Sequence, residues 1–216
     1  YRLTDDAQTS AALADWDIAF EITGITGSVL VNTAKGMAVY KAPYTVAQWD
    51  QLDTAGLSAG WPEQQNSEIN WSSGALNQGL TANPFDLGWG IYNPVDHSIA
   101  GDSLFVLRRA DGAYKKFKVN GFVAATNSFT FTLADLDGGA EQVGILNRSD
   151  YAGKNFGYYS LASSAAVDLE PLASDWDLLF TKYKAYVTQP FPTFYPTVGV
   201  LQNRQVLVQQ VDGVPS

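Results

Sequence analysis

Apolar and polar residues alternate along two short segments near the two ends of the chain, and the segments have nearly the same sequence. Residues 15–20 are Asp-Trp-Asp-Ile-Ala-Phe, and residues 175–180 are Asp-Trp-Asp-Leu-Leu-Phe. A period of two predicts a β-strand in each copy, with every second side chain on the buried face. The residues predicted to be buried are Trp16, Ile18 and Phe20 in the first copy and Trp176, Leu178 and Phe180 in the second.

Each copy is followed by a glycine, a short apolar run and an asparagine, at residues 27–32 and at residues 199–203. The distance between the copies is far longer than the roughly 20 to 50 residues of a solenoid repeat. We therefore expect the two strands to lie at both ends of one sheet system, as neighbours in one continuous core.

Further strands are predicted between turn signals that recur along the chain. Asp111-Gly112 favours a type I′ hairpin turn, because both residues accept a positive φ. Residues 103–108 and 114–119 flank this turn as strands, and residues 128–133 alternate again. Short strands with frequent turns are typical of an all-β antiparallel sandwich or barrel-like fold.

One short helix and one boundary interrupt this pattern. Residues 45–48, Thr-Val-Ala-Gln, match the capping box and predict a short helix. Residues 135–139 are acidic and rich in glycine, which indicates a lobe boundary or a long turn. A chain of 216 residues can form one sizeable core, so we expect a single domain over residues 1–216.

Residues 54–84 are the least patterned part of the chain, with Gly, Ser, Asn and Gln separating Trp61 from Trp71. An irregular stretch of about 30 residues in a compact domain is usually functional. We place the candidate ligand surface near it, with Trp61 and Trp71 as a stacking platform for a flat ligand or a sugar ring. Ordinary packing is the alternative for both residues.

Composition excludes several classes of function. Thirteen Lys and Arg against 22 Asp and Glu give a net charge of −9, which opposes binding to nucleic acid. With no cysteine and one histidine, disulfides, thiolate sites and clusters of imidazole ligands are excluded. No apolar run approaches the ~20 residues of a membrane-spanning helix. The sequence begins at Tyr1 without Met, so we expect a processed or trimmed N-terminus.

The sequence predicts no catalytic centre. One histidine in a turn cannot be placed in a Ser-His-Asp arrangement, and no glycine-rich phosphate loop opens a helix. Asp17 and Asp177 have two interpretations, as paired carboxylates for acid–base work on a sugar or as acceptors for nearby backbone amides. The second is favoured, and we expect a protein that is not an enzyme.

Strand segments spread from about residue 15 to residue 203 resemble one known family. The matching segments are residues 16–20, 36–39, 89–93, 104–112, 114–117, 176–183 and 195–201. They are similar to core strands of the HmuY family, which comprises haemophore-like surface and secreted proteins of the Bacteroidetes with an all-β fold. The resemblance implies an HmuY-type fold and a secreted or outer-membrane, cell-surface location.

The resemblance also implies a candidate cofactor, haem or a similar planar tetrapyrrole. Characterised family members hold the iron through two histidines, and some relatives are thought to use methionine. Here His97 is the candidate metal ligand and Met37 is a candidate thioether ligand. Tyr92 is a candidate for stacking on the ring. A solvated loop for His97 and core packing for Met37 are the alternatives.

Two other functions remain open for such a binding protein. The first is a structural or interaction module of the cell surface without a cofactor, whose partner is another surface protein or an outer-membrane transporter. The second is a carbohydrate-binding module that uses Trp61 and Trp71. None of the three functions requires the chain to span a membrane.

Overall fold

The structure is a computed structural model that describes residues 1–58, 60–209, 211 and 213. Its strands pair antiparallel throughout, so the predicted all-β class is confirmed. In chain order the strands are β1 (Ile18–Glu21), β2 (Val29–Val31), β3 (Ala38–Thr45), β4 (Glu63–Gln64), β5 (Gly90–Tyr92), β6 (Ile99–Gly101), β7 (Ser103–Arg108), β8 (Tyr114–Val123), β9 (Ser128–Asp135), β10 (Gln142–Asn147), β11 (Phe156–Ser160), β12 (Ala165–Val167), β13 (Leu178–Val187) and β14 (Thr193–Gln202).

Helices are short in the described chain. The α-helix α1 (Ala55–Ser58) is a single turn. Among the described residues, no helix combines the length and the apolar sequence needed to cross a bilayer. The 3-10 helices are Leu13–Asp15, Thr33–Lys35, Val46–Gln51, Ala75–Asn77, Arg148–Tyr151 and Ala173–Asp175.

Two sheets pack face to face and enclose the main core. The small sheet has the order β12-β11-β1-β2, and the large sheet has the order β10-β9-β8-β7-β3-β4, with β6 paired to β8 and β5 paired to β6. Phe20 of the small sheet meets Phe129 and Phe131 of the large one, with ring centroids 5.2 and 5.1 Å apart. Phe20 and Ile18 are both 0% exposed, as the alternation predicted.

A second layer covers the outer face of the large sheet. The predicted short helix is present as the 3-10 helix Val46–Gln51, and the backbone N–H of Thr45 donates to Gln48 Oε1 at 3.0 Å. The Trp49 ring lies 4.8 Å from the ammonium of Lys116, which is only 1% exposed and donates to the Trp49 carbonyl at 3.1 Å. Lys116 of β8 therefore contributes to the packing of Trp49 on this face.

Part of the irregular stretch 54–84 closes an edge of the small sheet. Asn77 Oδ1 accepts the Val29 N–H at 2.9 Å, and Asn66 Oδ1 accepts the Val31 N–H at 3.1 Å. Asn66 also donates to the Val31 carbonyl at 2.7 Å. These two amide side chains bind the outward N–H groups of Val29 and Val31 and the Val31 carbonyl on the edge of β2.

Residues 135–139 form the turn between β9 and β10. The Asp135 N–H donates to the Gly139 carbonyl at 2.8 Å, and the Gly138 N–H donates to the Asp135 carbonyl at 2.9 Å. Both strands belong to the large sheet, so this stretch is a long turn within one sheet.

The second copy of the Trp-Asp strand does not join the main core, which corrects the expectation of one continuous core. β13 pairs with β14 in a separate two-stranded sheet. Phe180 is 64% exposed, although its alternation is that of the fully buried Phe20. Alternation shows which face of a strand is apolar, but burial also requires a second sheet to cover that face.

The first copy is held by a buried asparagine. Asn32 is 1% exposed, and its Nδ2 donates to the carbonyls of Leu13 and Trp16 at 2.8 and 2.9 Å. The Asn32 N–H donates to the Asp17 carbonyl at 2.9 Å. One amide side chain therefore ties the end of β2 to the 3-10 turn that precedes β1.

The second copy repeats this arrangement. Asn203 is also 1% exposed, and its Nδ2 donates to the carbonyls of Ala173 and Trp176, both at 2.7 Å. The Asn203 N–H donates to the Asp177 carbonyl at 2.8 Å. The two sequence copies thus build the same local unit, a 3-10 turn and a hairpin closed by an asparagine.

The aspartates of the two copies hold neighbouring backbone. Asp17 Oδ2 accepts the Leu161 N–H at 2.7 Å, and its Oδ1 receives Lys35 Nζ at 2.8 Å. Asp177 Oδ2 accepts the Leu3 N–H at 2.6 Å. These contacts match the interpretation in which each carboxylate binds a backbone amide, and they give neither aspartate a partner carboxylate.

Replacing Arg204 should destabilise the fold strongly. Its guanidinium lies 2.5 Å from the carboxylate of Glu21, which is 1% exposed, and it also donates to the carbonyls of Thr23 and Trp71. Arg204→Met leaves a buried charge without its partner, so we expect a loss of about 3–5 kcal/mol in the free energy of unfolding, measured by denaturant titration.

The double variant Glu21→Gln/Arg204→Met is the control. It removes the unpaired charge and should recover a large part of the loss. A loss of no more than about 1 kcal/mol in Arg204→Met would instead indicate a pair that behaves as a solvated surface contact.

Candidate functional site

Tyr92 and His97, two of the predicted cofactor-binding residues, lie side by side at the β5–β6 hairpin. Tyr92 is the last residue of β5, and His97 lies in the loop that leads to β6. The Tyr92 hydroxyl oxygen is 2.5 Å from His97 Nδ1, and the two ring centroids are 6.1 Å apart. His97 is exposed and Tyr92 is half-buried, so the pair lies at the surface.

Backbone hydrogen bonds hold His97 in the conformation that faces Tyr92. His97 has φ 61°, a left-handed conformation uncommon for a residue with a side chain. Its N–H donates to the Asn93 carbonyl at 2.9 Å, and the Asn93 N–H donates to the Ser98 carbonyl at 2.8 Å. Asp96 Oδ1 accepts the Ser98 N–H at 2.9 Å. The turn-forming residues after Tyr92 therefore fix where the imidazole lies.

Apolar side chains lie around this pair. The Phe85 ring is 6.3 Å from the Tyr92 ring, and the Tyr92 N–H donates to the Phe85 carbonyl at 2.9 Å. Phe85 is 42% exposed, and Val95, in the loop itself, is 87% exposed. The hairpin thus presents a phenol and an imidazole beside exposed apolar surface, which suits an amphipathic ligand.

Met37 is not part of this site. It is 0% exposed and belongs to the main core between the two sheets. A thioether enclosed on all sides has no surface toward a ligand, so the structure gives Met37 the packing role that was the alternative.

Trp61 and Trp71 lie on opposite outer faces of the sandwich and do not form one platform. Trp61 packs against the layer outside the large sheet, with its ring 6.1 Å from Tyr44. Trp71 packs outside the small sheet, 5.9 Å from Phe156 and 6.5 Å from Trp176. Its Nε1 donates to the Gln202 carbonyl at 2.7 Å, so Trp71 joins the sandwich to the β13–β14 hairpin.

A cleft of about 930 Å³ lies between the outer face of the small sheet and β13, and we call it the β13 cleft. This volume is within the range of ligand-binding sites in proteins. Its aromatic lining residues are Tyr1, Trp16, Trp71, Phe156, Tyr158, Trp176, Phe180 and Tyr183, and its polar ones include Asn66, Glu68, Glu170, Lys182 and Lys184.

Glu170 is the buried acid of the β13 cleft. It is 8% exposed, and its carboxylate accepts the N–H groups of Phe156 and Asn155 at 2.9 and 3.2 Å and the Trp176 Nε1–H at 3.2 Å. Burial raises the pKa of Glu170, while these hydrogen bonds oppose the rise. Sequence reasoning missed this residue, because it follows a strand in a segment without periodicity.

A metal site made only of amino-acid side chains is not found in the described part of the chain. No group of three or more His, Asp or Glu residues there lies close enough to hold an ion. A metal carried within a larger cofactor would need fewer protein ligands.

Comparison with known proteins yields no relative: no protein-family model, curated protein or solved structure matches this chain.

Removing the titration of Glu170 should change how stability depends on pH. Because the pKa of Glu170 is raised in the fold, the folded state binds its proton more tightly than the unfolded state. As pH rises from the ordinary glutamate pKa through the raised value, the wild type should lose stability relative to Glu170→Gln. Thermal or urea unfolding of both proteins across this pH range measures the difference in stability. A wild type whose stability rises relative to Glu170→Gln over this range would contradict the raised pKa of Glu170.

Proposed function

We propose that the protein is a non-catalytic binding protein, secreted or held at the cell surface, that captures ferric haem or a related tetrapyrrole at Tyr92 and His97. The observation that carries this proposal is the 2.5 Å separation between the Tyr92 hydroxyl oxygen and His97 Nδ1. The cellular location and the tetrapyrrole class are taken from the resemblance to the HmuY family.

The donor atoms of the pair fit a ferric centre. Bound haem would supply a ferric ion, and a tyrosine oxygen is an established ligand to haem iron. Tyr92 would hold this ion through its phenolate oxygen. His97 Nδ1 lies within hydrogen-bond distance of this oxygen, so it would take up the phenol proton and then donate to the phenolate.

This geometry favours Tyr92, not His97, as the residue that would hold the iron. When the Tyr92 hydroxyl donates to Nδ1, the neutral imidazole carries its own proton on Nε2. Neither ring nitrogen then offers a lone pair to a metal. In this proposal His97 would be a positioning residue that receives the proton and orients the phenolate. Direct ligation of the metal by His97, expected from the sequence, is the alternative that the variants below distinguish.

The hairpin also offers contacts for the apolar part of such a ligand. The exposed side chains of Phe85 and Val95 are near Tyr92 and in the His97 loop, respectively. Burial of apolar surface contributes roughly 25 cal/mol per Å². Ring contact, together with one oxygen ligand, would therefore supply the affinity, without a second protein ligand.

Titration with haemin, followed by the Soret absorbance, tests the proposal. The wild type should show a saturable shift. Tyr92→Phe removes only the ligand oxygen and should weaken binding by more than about tenfold, which corresponds to about 1.4 kcal/mol. His97→Ala should weaken binding and should move the Soret and visible bands of the complex, because the phenolate loses its hydrogen-bond partner.

Tyr195→Phe is the matched control, because Tyr195 is a 61% exposed tyrosine of β14 and lies outside the β5–β6 hairpin. It should bind haemin as the wild type does. Undiminished binding by Tyr92→Phe would exclude tyrosine ligation, and loss of binding in His97→Ala with Tyr92→Phe unaffected would move the iron to His97. A wild-type spectrum unchanged by excess haemin would exclude haem capture altogether.

A further inference from the structure

Among the described strands, β10 is the last one of the large sheet and has a neighbouring strand on one edge only. β9 pairs with that edge over six residues in register, without a bulge. The Arg148 N–H donates to the Asn127 carbonyl at 2.9 Å, which continues this ladder beyond the strand. Because backbone groups of an antiparallel strand alternate in direction, the even-numbered residues bond β9, whereas Val143 and Ile145 direct their N–H and C=O groups outward. No bond to these outward groups is found in the described part of the chain.

The side chains along this edge are apolar and exposed. Val143 is 65% exposed and Ile145 is 58% exposed. Both lie on the outer face of the large sheet, because the core is on the side of Gly144, where a Cβ would meet the Phe131 ring. Residues 142–147, Gln-Val-Gly-Ile-Leu-Asn, carry no charge. A regular edge with apolar side chains and without charge or proline lacks the features by which proteins prevent strand pairing.

The other terminal strands of the two sheets are short or covered. β4 has two residues and β12 has three. The side chains of Asn66 and Asn77 bind the edge of β2. Residues 85–87 bond β5 on the edge away from β6. With six residues, β10 is the longest of these terminal strands in the described chain, and its edge is the one that fits another strand.

The β10 strand of a second molecule fits this edge in an antiparallel register centred on Gly144. In this register, Val143 of one molecule lies opposite Ile145 of the other, on the same face of the joined sheet. These are the residues whose backbone groups point outward, so each such pair would exchange two hydrogen bonds. The two Gly144 residues meet at the twofold axis as a pair without hydrogen bonds, which is the closest approach in such a ladder. One register therefore satisfies the outward groups and covers the apolar side chains.

The charges beside the strand also suit this symmetric pairing. Two molecules of net charge −9 repel each other, so their contact requires a neutral surface, which residues 142–147 supply. Beyond this stretch, Glu141 of one molecule would lie opposite Asn147 of the other. Glu141 accepts the Trp49 Nε1–H at 2.8 Å, and a carboxylate accepts further hydrogen bonds. Asn147 Nδ2 donates one N–H to Asp150 at 3.1 Å, and its second N–H can reach across the interface.

We propose that the chain forms a symmetric homodimer through β10, in which two large sheets join into one sheet across a twofold axis at Gly144. An identical strand is the partner, because it supplies both halves of the apolar contact, the neutral stretch and the donor for Glu141. A contact of about six residues per molecule is small, so we expect association at micromolar protein concentrations and above. Tyr92 and His97 belong to a different hairpin, and neither proposal depends on the other.

Sedimentation equilibrium of the full chain, from low micromolar to near-millimolar concentrations, tests the proposal. The wild type should change from monomer to dimer as its concentration rises. Ile145→Lys places an ammonium group in the apolar contact and should raise the dissociation constant more than about tenfold. A wild type that stays monomeric over the whole range would overturn the proposal.

Ile25→Lys is the matched control. Ile25 is 97% exposed and lies between β1 and β2, away from the edge of β10. Both variants change the net charge equally, so a difference between them cannot come from overall repulsion. Ile25→Lys should dimerise as the wild type does. A dimer that persists unchanged in Ile145→Lys would place the contact on another surface and would also overturn the proposal.

Disulfide cross-linking tests the register, since the chain has no cysteine of its own. Under mild oxidation, an equal mixture of Val143→Cys and Ile145→Cys should form a linked dimer, because opposite residues of a hydrogen-bonded pair have Cα atoms ~5.5 Å apart. Each variant alone should cross-link far less, because its two cysteines would lie two positions apart along the ladder. Cross-linking of either variant alone that equals that of the mixture would overturn the pairing about Gly144.

Discussion

A β-strand is stable only when its outward backbone groups and its apolar face are both covered, and this requirement determines the structure on both sides of the β13 cleft. β1 meets it completely: β11 and β2 pair with its two edges, and the large sheet covers Phe20. β13 has the same local sequence and the same buried asparagine, but no second sheet covers its apolar face, and Phe180 is 64% exposed.

The buried asparagine of each copy, Asn32 or Asn203, explains how one sequence motif can occur in two such different surroundings. The bonds of Asn203 to Ala173 and Trp176 lie within the unit and need no second sheet. Arg204 and Trp71 then attach the second unit to the sandwich through a buried ion pair and an indole hydrogen bond. The other end of β13 is attached as well, because Lys184 forms an ion pair with Glu63 and the Tyr186 N–H donates to the Glu68 carboxylate at 3.1 Å. The β13 cleft lies between the two bodies that these contacts join.

Much of the fold could be predicted from the sequence, because alternation and turn chemistry act locally. The Asp111-Gly112 hairpin, the capping box at Thr45 and the burial of Phe20 all follow from contacts within a few residues or from a clear period of two. The exposure of Phe180 could not be predicted in this way. Its local pattern is that of Phe20, and only the long-range arrangement of sheets distinguishes them.

The candidate site residues also divide into those that local sequence brings together and those that only long-range packing places. Tyr92 and His97 are five residues apart on one hairpin, so turn residues alone bring them together. Trp61 and Trp71 are close in sequence but lie on opposite faces of the sandwich, which no local signal indicates. Burial raises the pKa of Glu170, although its hydrogen bonds with Asn155, Phe156 and Trp176 lower it, and a one-dimensional pattern contains neither the burial nor these contacts.

Urea unfolding of two matched variants tests the central claim most directly. Phe20 and Phe180 are equivalent positions of the two copies, but Phe20 is 0% exposed and Phe180 is 64% exposed. The account predicts that Phe20→Ala lowers the free energy of unfolding by about 3–5 kcal/mol, whereas Phe180→Ala lowers it by less than about 1 kcal/mol. Equal losses in the two variants would contradict it.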